Sequence, residues 1–404
     1  MPASVSPPQR ALNIVELTSR LRQRAQDLGF DLCGVCPALT PGGLHRFAKW
    51  LDAGYAGEMK FLDELAHAHE TPGYVLDGAR SLVILAMNYN PSRGSSIAAQ
   101  AGEGRVANYA VGADYHDVIH DRLKQLRDWL HEHAPGAAVR GVVDSAPLME
   151  REFAQLAGLG WIGKNTLLLN RRLGSWFFLA VLLTDLELQY DAPTEVDHCG
   201  TCTACLEACP TDAFVAPYVL DARKCISYLT IEHRSTIPVE LRSGMEDWIF
   251  GCDVCQEVCP WNNHAPASRE DTLRLERTGA TSDLCELLQL SEVEFRERFR
   301  GTPLWRAKRR GLLRNAAIVL GNQRHAAAVP VLTQALDDEE PLIRAAAAWA
   351  LGQIGGQSAL QALRNRRHVE TTKDVRGEIK AAIAQGNGEA SFTAFTKEQS
   401  SEND

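Results

Sequence analysis

Eight of the eleven cysteines form one array: Cys199-x2-Cys202-x2-Cys205-x3-Cys209-Pro210, an isolated Cys225, and Cys252-x2-Cys255-x3-Cys259-Pro260. Runs of this spacing that end in Cys-Pro present thiolates to 4Fe-4S clusters, and the last cysteine of each run ligates the other run's cluster. That exchange balances the count. Cluster one takes Cys199, Cys202, Cys205 and Cys259, and cluster two takes Cys209, Cys225, Cys252 and Cys255. A zinc knuckle needs two evenly spaced Cys pairs and has no use for the C-x3-C-P endings. A disulfide framework calls for an oxidising compartment and usually a small chain, whereas 404 residues can build ordinary cores. Cys33, Cys36 and Cys285 stand apart and read as inert buried thiols.

Clusters move electrons, so the rest of the chain must use them or guide them. A dinucleotide fingerprint, a P-loop and a radical-SAM cysteine run are all missing, which removes the usual marks of nicotinamide, ATP and radical-SAM chemistry. Asp144 ends an apolar strand-like run and precedes Ser145-Ala146-Pro147. A carboxyl desolvated there would have a raised pKa and could act as an acid near neutrality, while the residue type alone also allows an aspartate that merely starts a turn.

The elements that must position these groups change character along the chain. An amphipathic helix is predicted from about Ile14 to Leu28, closed by Gly29, and another from Asp117 to His133. Strands are predicted at Ser81–Met87, Ala138–Val143, Trp176–Leu183 and Leu186–Leu188. Strands separated by helices point to an α/β (α+β) sheet domain. From Leu312 to Ile383 the pattern becomes short Ala- and Leu-rich helices. Asn315–Gly321 and Ala346–Gly352 superpose at an offset of 31 residues, each followed by a second helix, Val329–Leu336 and Ser358–Leu363. That is a paired-helix repeat of HEAT type, too few for a free solenoid and expected to pack on the cluster segment.

Composition is that of an ordinary globular chain, 45% hydrophobic and 23% charged. Without a signal-peptide core or a long apolar run, no membrane is expected and the cytoplasm is the expected compartment. The net charge of −9 argues against wholesale nucleic-acid binding. One basic run departs from it: Arg300, Arg306, Lys308, Arg309, Arg310 and Arg314, with no acidic residue among them.

A family resemblance rests on Gly54–Met59, Val143-Asp-Ser-Ala-Pro-Leu-Met-Glu-Arg151, Gly160-Trp-Ile-Gly-Lys-Asn-Thr-Leu-Leu168, Leu173-Gly-Ser-Trp-Phe-Phe178, Ala216–Glu232 and Gly251-Cys-Asp-Val-Cys-Gln256. With the cysteine array, these segments resemble epoxyqueuosine reductase over nearly the whole chain. The resemblance implies a cobalamin-dependent oxidoreductase acting on CH or CH2 groups, with two 4Fe-4S clusters and a relation to reductive dehalogenases. It would reduce epoxyqueuosine at the tRNA wobble position to queuosine, the last step of queuosine biosynthesis, with Asp144 as proton donor. It also implies a cobalamin-binding catalytic domain over 1–192, a bacterial ferredoxin-like two-cluster domain over 193–270, an α-helical HEAT-like domain over 271–385 and a disordered tail over 386–404.

On that reading Met59, Asp144, Lys164, Asn165, Leu168, Ser227, Tyr228 and Asp253 contact cobalamin. The Asp-x-His-x2-Gly signature begins at Asp114-Tyr-His116 and fails at the glycine, so a histidine lower ligand is not expected. His233, Lys308, Arg309, Arg310 and Arg314 are expected at tRNA, where phosphates gain most from ion pairing. The reductant would be a flavodoxin- or ferredoxin-type donor. A corrinoid reductive dehalogenase and a ferredoxin-type electron carrier remain the alternatives.

Overall fold

The structure, a computed structural model, describes residues 13–90, 99–273 and 281–386. Most of the tail expected at 386–404 thus lies outside the described residues. Helix α1 (Ile14–Asp27) starts where Asn13 accepts the Glu16 N–H, buries Leu17, Leu21 and Ala25 on one stripe, and ends at Gly29 with φ +89°. Strands β1 (Leu32–Pro37) and β2 (Ser81–Asn88) follow, then α2 (Tyr115–His133), β3 (Val139–Val142), α3 (Glu150–Leu156) and β4 (Phe177–Thr184). The sheet order is β1-β2-β4-β3 with every pairing antiparallel, which makes the domain the α+β form of the expected class.

Period-2 alternation explains why β2 is apolar throughout. Val83, Leu85 and Met87 pack with α1 and α2, while Leu82, Ile84 and Ala86 pack with Phe153 and Ala154 of α3. Leu186–Leu188 forms no strand. Beyond Thr184 the chain turns away, and Ser81 Oγ ties the segment down by donating to Leu186 O and accepting from Leu188 N–H.

In the cysteine segment each C-x2-C run is followed by a one-turn helix, Ala204–Glu207 and Val254–Glu257, and Cys225 opens helix α4 (Ile226–Ile231). Trp248–Phe250 pairs with Glu103–Val106, which in turn pairs with Thr281–Asp283, so one small sheet joins three distant stretches of chain.

The repeat region comprises α5 (Lys308–Asn322), α6 (Val329–Ala335), α7 (Pro341–Ile354), α8 (Gly356–Val369) and α9 (Lys373–Gly386). Helices α5, α7 and α9 stack in sequence, and the 31-residue offset has a steric cause. A Cβ on Gly321 would lie 2.6 Å from the Trp349 ring, and one on Gly352 would lie 2.8 Å from the Ala382 Cα. Leu312, Leu313 and Ala316 share one core with Leu229, Ile249 and Phe250, so the repeats pack on the cluster segment as expected. Among the described residues no helix is long and apolar enough to cross a membrane.

Candidate functional site

All eleven cysteines are free thiols. Burial raises the Cys205 thiol, and Cys259, Cys199 and Cys202 are the charges close enough to raise it further. Cys259 in turn feels Cys199 and Cys202. A second group gathers around Cys255, where burial again leads and Cys225, Asp253, Cys205 and Cys209 add to it in that order. Cys252 feels Cys225 and Cys255.

The surroundings suit bound thiolates. Ala213 N–H points at Cys209 Sγ (3.3 Å), and the amides of Ser227 and Tyr228 reach Cys225, that of Val254 reaches Cys252, and those of Trp261 and Asn262 reach Cys259. The buried Trp161 indole N–H has no nitrogen or oxygen partner and faces Cys199. Amide and indole donors around sulfur are what a cluster uses to set its potential. Cys33 and Cys36 lie away from both groups, and burial pushes each thiol up to about 12, which leaves them inert.

Asp144 stands just past β3 and the buried Val143, at φ +49°. Its Oδ2 accepts the Tyr115 hydroxyl (2.9 Å), and its N–H donates to Glu150 Oε1 (3.2 Å). Tyr115 is held rigidly, stacked on Phe178 at 4.1 Å and on His116 at 4.1 Å. The expectation of a desolvated carboxyl is corrected here. Asp144 is exposed, because the left-handed turn carries its side chain out beyond the last buried residue of the strand. The carboxyl that is raised is its neighbour Glu150, to about 8, by burial first and the Asp144 charge second.

Tyr109 connects this corner to the thiols. Its buried hydroxyl is held protonated, first by burial and then by the charges of Asp144 and Asp253. Asp253, between Cys252 and Cys255, accepts the Asn108 N–H (2.7 Å), and burial raises its carboxyl to about 7. Two carboxyls 109 residues apart in the chain thus act on one tyrosine.

The other expected cobalamin contacts divide. Ser227 and Tyr228 adjoin Cys225, and the Tyr228 hydroxyl accepts the Glu58 N–H (2.7 Å), which brings Met59 alongside. A Cβ on Gly57, at φ +60°, would sit 2.4 Å from that hydroxyl, so the loop needs glycine there. Asn165 donates weakly to Cys255 O (3.4 Å). Lys164 lies elsewhere: its Nζ donates to Gly200 O and Cys202 O, bracing the first thiol group. Leu168 packs its side chain in the sheet core, which leaves its backbone as the part that could meet a cofactor.

The basic run divides as well. Lys308 and Arg310 are exposed, with Lys308 Nζ 4.5 Å from the Trp305 ring centre. Arg309 pairs with Asp338 and donates to Leu290 O. Arg314 is 1% exposed and donates to Leu229 O, His233 O and Ser235 O. Arg309 is therefore largely spent within the fold, and Arg314 is a strut between repeats and cluster segment that has no surface for RNA. His233 is half-buried beside Tyr228 and Glu58, and burial lowers its pKa.

Sequence reasoning missed Tyr115, Glu150, Arg234 and the role of Arg306. Arg306 pairs with Glu232 (2.8 Å) within electrostatic reach of Asp144, and Arg234 donates to Arg306 O (3.0 Å). Arg306 belonged to the basic run and Glu150 to the quoted motif, but neither carried a signal of nearness to Asp144.

Comparison with known proteins adds independent findings. Residues 198–262 match the family model of a 4Fe-4S double cluster binding domain, residues 70–145 that of epoxyqueuosine reductase QueG, and residues 306–384 that of HEAT repeats. The epoxyqueuosine reductase of Pseudomonas aeruginosa is 40% identical over 358 residues, 87% of this chain and 97% of the relative. That of Escherichia coli K12 is 38% identical, covering 85% and 90%. A crystal structure of epoxyqueuosine reductase with an epoxyqueuosine-modified tRNA stem loop superposes with TM-score 0.86 at 30% identity, over 93% of this chain and 100% of that one. A Bacillus subtilis epoxyqueuosine reductase, its aspartate-bearing catalytic loop swung out of the active site, gives 0.83 at 30% identity over 92% and 100%.

Proposed function

The chain belongs to the epoxyqueuosine reductase family, enzymes of the oxidoreductase class, and its double-cluster domain is that of a 4Fe-4S protein. On that premise we propose that it reduces epoxyqueuosine to queuosine in a tRNA anticodon in the cytosol. An epoxide that becomes an alkene loses its oxygen as water, which takes two electrons and two protons.

Cys199, Cys202, Cys205 and Cys259 would hold one cluster and Cys209, Cys225, Cys252 and Cys255 the other; together they would supply single electrons from a flavodoxin- or ferredoxin-type donor, for which the exposed Cys202 offers the approach. Cobalamin, when bound, supplies the two-electron chemistry that single-electron clusters cannot perform alone. Asn165, Ser227, Tyr228, Asp253 and Met59 would hold it. Ser227, Tyr228 and Asn165 adjoin the second thiol set and Asp253 lies within it, so polar groups stand beside the thiols, where a cofactor fed by the second cluster would need them. Asp144 is placed to donate a proton to the epoxide oxygen. Tyr115 orients the carboxyl, leaving its second oxygen for substrate. A bound nucleobase would cover the exposed carboxyl and supply the desolvation it lacks here. Lys308 and Arg310, with Arg306 nearer the acid and His233 beside Tyr228, would meet the phosphates and loop bases.

The observation that carries this reading is the chain of contacts from Asp144 to the Tyr115 hydroxyl (2.9 Å), from the Tyr115 ring to that of Tyr109 (6.3 Å), and from Tyr109 into the side-chain cluster that Cys252 also packs against. The relative whose catalytic loop bears an aspartate supports the same assignment.

The test is anaerobic purification with cobalamin supplied, analysis of iron, sulfide and cobalt, and a single turnover on a stem loop bearing epoxyqueuosine. Two full clusters, one cobalt and conversion to queuosine are expected. Full clusters without cobalt or conversion would reduce the protein to an electron carrier.

A further inference from the structure

Under the proposed reaction two protons must reach one oxygen, while Asp144 carries one. The groups around Asp144 differ in their ability to supply the other. Burial, then the Asp144 charge, holds the Tyr115 hydroxyl protonated, which makes it a poor acid at neutral pH. His116 commits its Nδ1 to Asp114 Oδ1 (2.7 Å) and its ring face to Tyr115. The Arg306 guanidinium stays charged and is paired with Glu232. Glu150 remains. It opens α3 behind the Asp144 turn, and its Oε1 already accepts the Asp144 N–H. The charged groups acting on it are the Asp144 carboxylate and the Arg151 guanidinium, which itself donates to Thr166 O (2.6 Å).

We propose that Glu150 is a positioning residue that supplies the second proton through Asp144, re-protonating its carboxylate between the two C–O cleavages. In the first transfer the Asp144 O–H bond breaks, the proton goes to the epoxide oxygen and the first C–O bond opens. Next the Glu150 O–H bond breaks and an Asp144 O–H bond forms. Asp144 then passes this proton to the hydroxyl, which leaves as water as the second C–O bond breaks. Two electrons arrive singly from the one-electron donor, and once product has left two solvent protons return, one to Asp144 and one to Glu150. This order explains why a half-buried carboxyl sits behind an exposed one. With its carboxyl raised to about 8, Glu150 holds a proton at neutral pH after substrate has sealed Asp144 from solvent.

The experiment uses the full chain with clusters and cobalamin, following single-turnover conversion of the epoxyqueuosine stem loop against pH. In Glu150→Gln the amide oxygen still accepts the Asp144 N–H but no acid proton remains. Wild type should lose rate as pH rises through about 8, where Glu150 ionises. The glutamine variant should be slower by about 100-fold or more and lack that alkaline limb, with iron content and stem-loop affinity unchanged. Glu150→Asp should restore the limb. A glutamine variant with the wild-type rate and profile would overturn the proposal. So would one that is slow but keeps the limb, since that marks a structural role alone. A wild-type enzyme that converts nothing would overturn the underlying reaction, and this inference with it.

Discussion

In an Arg314→Leu variant three backbone carbonyls lose their donor: Leu229 O at 2.6 Å, and His233 O and Ser235 O at 2.8 Å each. All three belong to the cluster segment; the Leu229 carbonyl is fully buried, and those of His233 and Ser235 are partly so. The guanidinium is charged at neutral pH even though burial, then repulsion from Arg234, lowers its pKa to about 9. A buried acceptor left unsatisfied costs about 1–3 kcal/mol. Taking the low end for three carbonyls, because removing a buried charge also recovers its desolvation, the variant should lose about 3 kcal/mol. With a urea slope of about 1–3 kcal/mol per molar, that lowers the unfolding midpoint by about 1 M or more. Circular dichroism of the helical signal against urea measures it. Stem-loop binding by the protein that remains folded should keep its affinity and salt dependence, because no phosphate contact has been removed. A wild-type midpoint combined with a shallower salt slope would refute the reasoning and return Arg314 to the RNA surface.

Asp144→Asn should abolish conversion while leaving iron and corrinoid content intact; residual turnover at the wild-type rate would remove Asp144 as the acid. Lys308→Gln with Arg310→Gln should weaken stem-loop binding and reduce the slope of log affinity against log salt by about 2, one unit for each exposed cation. An unchanged slope would move the RNA site elsewhere. Glu370 offers a stability test: although burial opposes it, hydrogen bonds from Arg344, the Thr372 amide and Arg366 hold its carboxyl well below the ordinary range. Because the folded-state value is depressed, its contribution is present above about pH 4.5, the ordinary value, and is lost as pH falls below it. Glu370→Gln should cost about 3–5 kcal/mol at neutral pH, since it leaves two arginines without their shared anion, and should flatten the acid limb of a stability-against-pH curve.

The expected elements that the fold kept are those whose signal is local. β2 and β4 are apolar runs bounded by turns, α1 and α2 are amphipathic with side-chain caps, and the Gly321 and Gly352 repeat marks two close helix approaches. Leu186–Leu188 looked like a strand because two leucines alternate around Glu187, yet its partner is a serine hydroxyl 105 residues earlier. The basic run shows the same limit. Charge can be read from residue type, but burial depends on what faces it, and Arg314 finds a carbonyl 85 residues away in the chain.

Sequence alone determined the chemistry available: eight thiols at cluster spacing, an aspartate ahead of Ser-Ala-Pro, and a motif set shared with one family. These are covalent facts of residue type and order. Tertiary structure decided which groups meet and how wet each one is. It placed Asp144 in solvent and Glu150 behind it, brought Tyr109 within electrostatic reach of two carboxyls, and withdrew Arg314 from the surface. Proton affinity and electrostatic reach depend on distance and burial, and neither exists until elements far apart in the chain have packed.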